Sequence, residues 1–256
     1  MRDPDTGWIQ LHHGEFFLLW SALELGELPA VLGVPHIGRT PPARARFAEA
    51  AGAALAERDL GTVERPAPDL RRYLEALAGG NRACELHIDT ADAALRAVGV
   101  PGRECVIVAS AGTEIRLGPV RETRMAATML DVVPPAGAGP GAPANVAVDV
   151  FTRACRVGER EGVEGFKEAL RDGGVRGAEV GVIARAIGGR AAGGRLEARS
   201  RDGGARWRWL PETLNWVDTA DGRFALRKQG EWLTVTPADH ARLLGMAEDM
   251  LGSLTG

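Results

Sequence analysis

Apolar residues at Phe16, Phe17, Leu19, Trp20, Leu23 and Leu25 return every three or four positions, and Gly26 follows them. That spacing predicts an amphipathic helix over residues 14–25 with a glycine stop. The short apolar run 30–34, closed by Pro35, reads as a strand or an extended connection. Thr40 before Pro41 is a helix-start signal, a hydroxyl cap followed by proline in the first turn, and predicts a helix to about Arg58. Leu70, Tyr73, Leu74 and Leu77 line one side of a further helix over 68–78, stopped by Gly79 and Gly80. Strands are predicted over 84–89, 105–109 and 114–120, the last two joined as a hairpin through Gly112. A helix over 122–132 closes this half.

Residues 134–143 are Pro, Gly and Ala almost throughout and read as a linker. Beyond it, helical segments are predicted over 148–156, 162–170 and 178–187. Strands follow over 195–201, 206–210, 214–219, 223–228 and 232–236, with Asp221-Gly222 the clearest hairpin signal. Pro237 is read as opening a final amphipathic helix that carries Leu243, Leu244, Ala247, Met250 and Leu251.

The halves share an order: helices, an antiparallel meander, one closing helix. The expected fold is therefore α+β, a pseudo-two-fold repeat with a central antiparallel sheet and helical bundles packed on it. Its expected organisation is a single domain over 1–256, with an N-terminal half at 1–133, a linker at 134–144 and a C-terminal half at 145–256. Strand alternation should turn Trp207 and Trp209 to one face and Arg206 and Arg208 to the other.

Composition narrows the function. At 45% apolar residues over 256 positions, the chain can bury an extensive core. Thirty-one Lys and Arg balance 34 Asp and Glu, so a net charge of −3 exerts no general pull toward nucleic acid or an anionic membrane. The cationic run from Arg199 to Arg206 reads as solvated strand ends. No stretch has the length of a membrane span, and residues 1–10 lack the pattern of a signal peptide, which points to the cytoplasm. Cys84, Cys105 and Cys155 are odd in number and sit in apolar surroundings, which predicts buried free thiols.

Catalytic patterns are weak. No two of His12, His13, His36, His87 and His240 stand four apart as a helical metal pair would, and each reads as a surface or capping residue. Gly137, Gly139 and Gly141 lack the strand-to-helix frame and the lysine of a phosphate loop. Ser110 lacks the preceding glycine of a nucleophile elbow and reads as a hairpin residue. Glu159, Glu161 and Glu164, and Asp218 with Asp221, read as solvated or turn carboxylates. Neither a catalytic residue, a metal ligand nor a cofactor is expected.

Four of the six tryptophans, Trp207, Trp209, Trp216 and Trp232, fall in the C-terminal meander. Trp216 and Trp232 are expected in the core, whereas Trp207 and Trp209 are open between core and binding anchor.

The run from Glu15 to Trp20 with Leu23-Glu24-Leu25-Gly26-Glu27-Leu28-Pro29, the run from Asn215 to Phe224, and the close from Trp232 to Asp239 together resemble the EspG family. The order of elements fits that family over nearly the whole chain. The resemblance implies a cytosolic chaperone of type VII secretion that holds the apolar tip of a helical PE/PPE-like substrate, through the sheet and the C-terminal helices. No residue-level binding motif carries over. Trp207, Trp209, Leu210 and Met246 are the candidate partner-binding residues on apolarity and position. A monomer or homodimer is expected. The alternatives are a small-molecule enzyme with a pocket near Asp218, Arg223 and His240, and a self-assembling subunit.

Overall fold

His12 and Glu15 begin the first helix by capping each other's backbone: the His12 ring accepts from the Gly14 N–H and the Glu15 carboxylate accepts from the His12 N–H. A computed structural model describes this and the rest of the chain over residues 1–90, 93–203 and 206–252. It holds ten strands and seven α-helices among those residues, an α+β protein with an antiparallel sheet. Two compact units are formed, Met1–Leu86 with Ala93–Met129 and Ser200–Trp207, and His87–Asp92 with Leu130–Arg199 and Arg208–Gly256.

The first unit runs β1 (Ile9–His12), α1 (His13–Ala22), a 3-10 turn (Ala30–Leu32), α2 (Pro41–Ala56), α3 (Pro68–Gly79), β2 (Arg82–Asp89), β3 (Ala94–Val100), β4 (Val106–Ala111), β5 (Glu114–Pro119) and α4 (Met125–Leu130). Its strands lie in the order β1-β5-β4-β3-β2, and the end of β2, from His87, belongs to the second unit. The second runs β6 (Ala144–Ala147), α5 (Val148–Asp172), α6 (Gly177–Gly188), β7 (Ala192–Ser200), β8 (Arg208–Thr219), β9 (Gly222–Gln229), β10 (Trp232–Pro237) and α7 (His240–Gly252), with strand order β7-β8-β9-β10-β6. Each unit is thus one strand, helices, a four-strand meander whose last strand pairs back with the first, and a closing helix. The repeat is one of topology, carried with little sequence identity.

In the first unit α1 departs from the amphipathic helix expected over 14–25: residues 15–20 are buried all round, and Phe16, Leu19 and Trp20 pack with Leu70 and Leu74 of α3 and with Ile9, Val108 and Leu117 of the strands. Each such side chain contributes about 1.5–3 kcal/mol by leaving water. Thr40 caps α2, its hydroxyl accepting from the Ala43 N–H at 3.4 Å. In the second unit the α5/α6 side of the sheet carries Val146, Val217, Phe224, Leu226, Leu233 and Val235 against Ala154, Phe166, Leu170, Val180 and Ile183.

Helix α5 is bent. Gly162, at φ 72° and ψ −163°, holds a conformation reserved for glycine. The bend also needs Gly158, where an added Cβ would stand 3.0 Å from the Phe166 Cβ, and Gly165, where it would stand 2.5 Å from the Glu161 Cβ. The bend brings Phe151 and Phe166 edge to face at 6.3 Å.

Several expectations need correction. Residues 30–34 contain a 3-10 turn, with Gly33 left-handed after it. The strands predicted at 206–210 and 214–219 are one strand, β8: its pairing with β9 runs only from Thr213 to Thr219, so Pro211 lies outside that paired stretch and need not break it. Pro237 ends β10, and α7 starts later with Asp239 accepting from the Arg242 N–H at 2.9 Å. Trp232 is 58% exposed, because Leu233 and Val235 are the β10 residues that face the α5/α6 core. Arg206, Arg208 and Trp209 are all exposed and Trp207 is half-buried, since only the second half of β8 is buried. Positions 204 and 205 of the Arg199–Arg206 run lie outside the described residues.

Candidate partner-binding surface

Residues 134–139 fix one side of the second unit. The Gly139 N–H donates to the Arg223 carbonyl at 2.9 Å, and the Arg223 N–H donates to the Gly137 carbonyl at 2.8 Å. Glycine is required at 139, where a Cβ would lie 2.2 Å from the Phe224 ring. The Arg223 side chain, fully buried, pairs in a fork with Asp218 at 2.6 and 3.0 Å and donates to the Pro134 carbonyl at 2.7 Å. Asp218 and Arg223, two residues of the conjectured enzyme pocket, are therefore tied up in an ion pair whose arginine is fully buried and whose carboxylate is partly exposed. His240 begins α7.

The open ground in this unit lies on the α5/α6 side of the sheet. By alternation, Trp209, Pro211, Thr213, Asn215 and Val217 share that face of β8, and register puts Lys228 beside Thr213 and Leu226 beside Asn215. Val217 and Leu226 are covered by the helices, whereas Trp209 is 53% exposed. On this side of the sheet is a cavity of about 530 Å³ bounded by Phe151, Ile187, Asn215 and Leu226, with Asp89, Arg190 and Arg195 among its polar walls. A second, more apolar groove of about 400 Å³ lies along α5 and α6, lined by Cys155, Gly158, Gly162, Val163, Phe166 and Ala184. Ile187 borders both. The bend at Gly162 shapes the second.

The four candidate residues do not form one patch. Trp209 stands on the open face with the Arg199 guanidinium over its ring, 5.5 Å from the ring centre. Leu210 points to the opposite face of β8 and is half-buried. Met246 is half-buried on α7, which packs against β8. Trp207 belongs to the first unit and packs on its core beneath Arg201, whose guanidinium lies 4.6 Å from the ring centre and donates to the Ala78 and Gly80 carbonyls. Arg190, Ile187 and Val163, which line these depressions, were not among the candidates from sequence. Ile187 and Val163 stand out as large apolar residues with exposed side chains, and that exposure is not written in a helical repeat.

His13, read from sequence as a surface or capping residue, is buried, with Nε2 3.0 Å from the Ser110 hydroxyl oxygen. Burial, and secondarily the neighbouring His12, hold its pKa below the usual histidine value. A histidine kept neutral in the fold but free to charge when unfolded favours folding above pH ~6.5, and that contribution is lost as pH falls below the unfolded value toward the folded one. Urea titrations from pH 7.5 down to 5 should therefore show falling stability, with a shallower slope in His13→Gln. Burial raises the thiol pKa of Cys84, and that of Cys105 to about 11, so neither is a ready nucleophile; Cys155 is half-buried. Among the described residues, no three His, Cys, Asp or Glu gather as a metal site, and no helix is long and apolar enough to cross a membrane.

The sequence model of the EspG family matches residues 12–249. The chain belongs to the EspG family. Its fold is that of a solved EspG structure: the type VII secretion system chaperone EspG5 of Mycobacterium tuberculosis, determined in complex with the PE25–PPE41 dimer, superposes with a TM-score of 0.78 over 95% of each chain at 18% identity. No curated protein matches the sequence. In this EspG-family chain, the elements that carry the open surface, α5, α6 and β7–β9, all fall within the matched span.

Proposed function

We propose that this EspG-family protein is a cytoplasmic chaperone of type VII secretion that binds the apolar tip of a helical, PE/PPE-like substrate and keeps it soluble for export. The observation that carries the proposal is the family match over residues 12–249, and the shared fold with EspG5, itself solved with a PE–PPE dimer, supports it. The open face of the second unit has the properties such a task needs. It offers apolar depressions bordered by Ile187, an exposed indole at Trp209 and a polar rim. Binding and release of a protein surface require no nucleophile, metal or cofactor, so the protein acts as a binder and not as an enzyme.

The test is co-expression of the tagged chain with PE–PPE pairs from its own genome, followed by size-exclusion chromatography. At least one pair should elute with the chaperone and precipitate without it. Trp209→Ala, which removes an exposed side chain and should leave folding intact, is expected to weaken that complex about 30-fold or more, as loss of an aromatic anchor does. If every pair stays insoluble or elutes alone, the proposal is wrong.

A further inference from the structure

The open sheet face of the second unit is basic, although the whole chain carries a net charge of −3. On β7, Arg195 and Arg199 alternate outward with Glu197 while Leu196 and Ala198 are buried. Arg199 covers Trp209, and Arg195 meets Glu197 through its Nε at 3.1 Å. Lys228 stands exposed beside Thr213, and Arg190 projects into the cavity from the chain just after α6. Asp89 is the carboxylate among the described residues that line the cavity. Among the described residues, Arg190, Arg195, Arg199 and Lys228 thus stand on this side of the sheet with Asp89 and Glu197, an excess of positive charge at and beside the cavity, while Glu159 lines the neighbouring groove. Arg190 has no ion-pair or hydrogen-bond partner among the described residues, so its charge is available to an incoming group.

We propose that this face selects partners whose apolar helical tip is flanked by acidic side chains, with Arg190 and Lys228 as the selecting residues. The inference rests on the chaperone reading and adds the chemistry of the substrate. Apolar contact gives the tip its hold but cannot tell one apolar helix end from another. The cations supply that discrimination: they speed encounter with an acidic tip and repel a basic one, as rim charges do. Arg190 and Lys228 are exposed, so exchanging their charge leaves the core and the apolar depressions intact.

The experiment uses two stapled helical-hairpin peptides with the same leucine tip, one flanked by Glu and the other by Lys. Both are titrated against the full chain by calorimetry in ~0.05 M and ~0.5 M salt. The acidic peptide should bind at least tenfold more tightly at low salt, and the difference should shrink at high salt, where the Debye length falls to a few ångströms. Arg190→Glu/Lys228→Glu should reverse the preference. Equal, salt-independent binding of both peptides would overturn acidic selection while leaving the chaperone reading in place. Binding of neither would count against the docking surface itself, and so against both.

Discussion

Replacing Asp218 by Ala is expected to destabilise the protein by about 3–5 kcal/mol, because it strands a charge that the fold has removed from water. The Arg223 side chain is fully buried, and its fork with Asp218 at 2.6 and 3.0 Å is what makes that burial tolerable. The same guanidinium also donates to the Pro134 carbonyl, while the Arg223 backbone holds Gly137, Gly139 and Ala238. One residue thus joins the 134–139 segment to β9 and to the end of β10. Loss of its partner should lower the melting temperature on the order of 10 °C, at about 2–4 °C per kcal/mol for a chain of this size. It should also open residues 134–143 to proteolysis before the rest of the fold is cut. Circular dichroism melts and timed digestion check both. Asp218→Asn, which keeps the shape and some of the hydrogen bonding, should cost less. Equal stability of Asp218→Ala and the parent would mean that the buried pair contributes no net stability.

What could be read from the sequence follows from which signals are local. Long amphipathic helices and the two hairpins through Gly112 and Gly222 were legible because periodicity and turn chemistry sit within a few residues of one another; Ala111 pairs with Glu114, and Thr219 with Gly222. The repeat was legible as an order of elements. Its opening strands, β1 and β6, were not: each has four residues, and β6 directly follows a Pro- and Gly-rich stretch. Strand β3 escaped because alanine and glycine blur alternation, and Gly99 is needed there to admit the sulfurs of Met125 and Met129, which a Cβ would meet at 2.9–3.0 Å. Trp232 was expected inside because aromatic residues in a meander usually fill cores, but its burial depends on which face of β10 the helices cover. The family was legible because its motifs span both halves. The candidate surface was not, because exposure and charge on one sheet face arise from β7, β8 and β9 together with the end of α6, and no single segment displays them.

The same dependence between distant segments gives Trp216 its weight. Its ring is fully buried, and β7 makes room for it with Gly194, where an added Cβ would lie 2.1–2.4 Å from the indole. Trp216→Ala should cost about 3–5 kcal/mol, the loss typical of a large aromatic removed from a packed interior. Gly194→Ala should cost about 1–3 kcal/mol, because the ring cannot withdraw from the new methyl group. If that clash is the main reason for glycine at 194, the two losses will not add: the double variant should be at least ~1 kcal/mol more stable than their sum, as the methyl occupies space the indole has left. Rescue should stop short of complete, since the His87 carbonyl also lies 2.7 Å from the Cβ position and does not move with the tryptophan. Urea unfolding of the four proteins measures the coupling directly. Strict additivity would mean that Gly194 is set by the approach to the β2 backbone and not by Trp216.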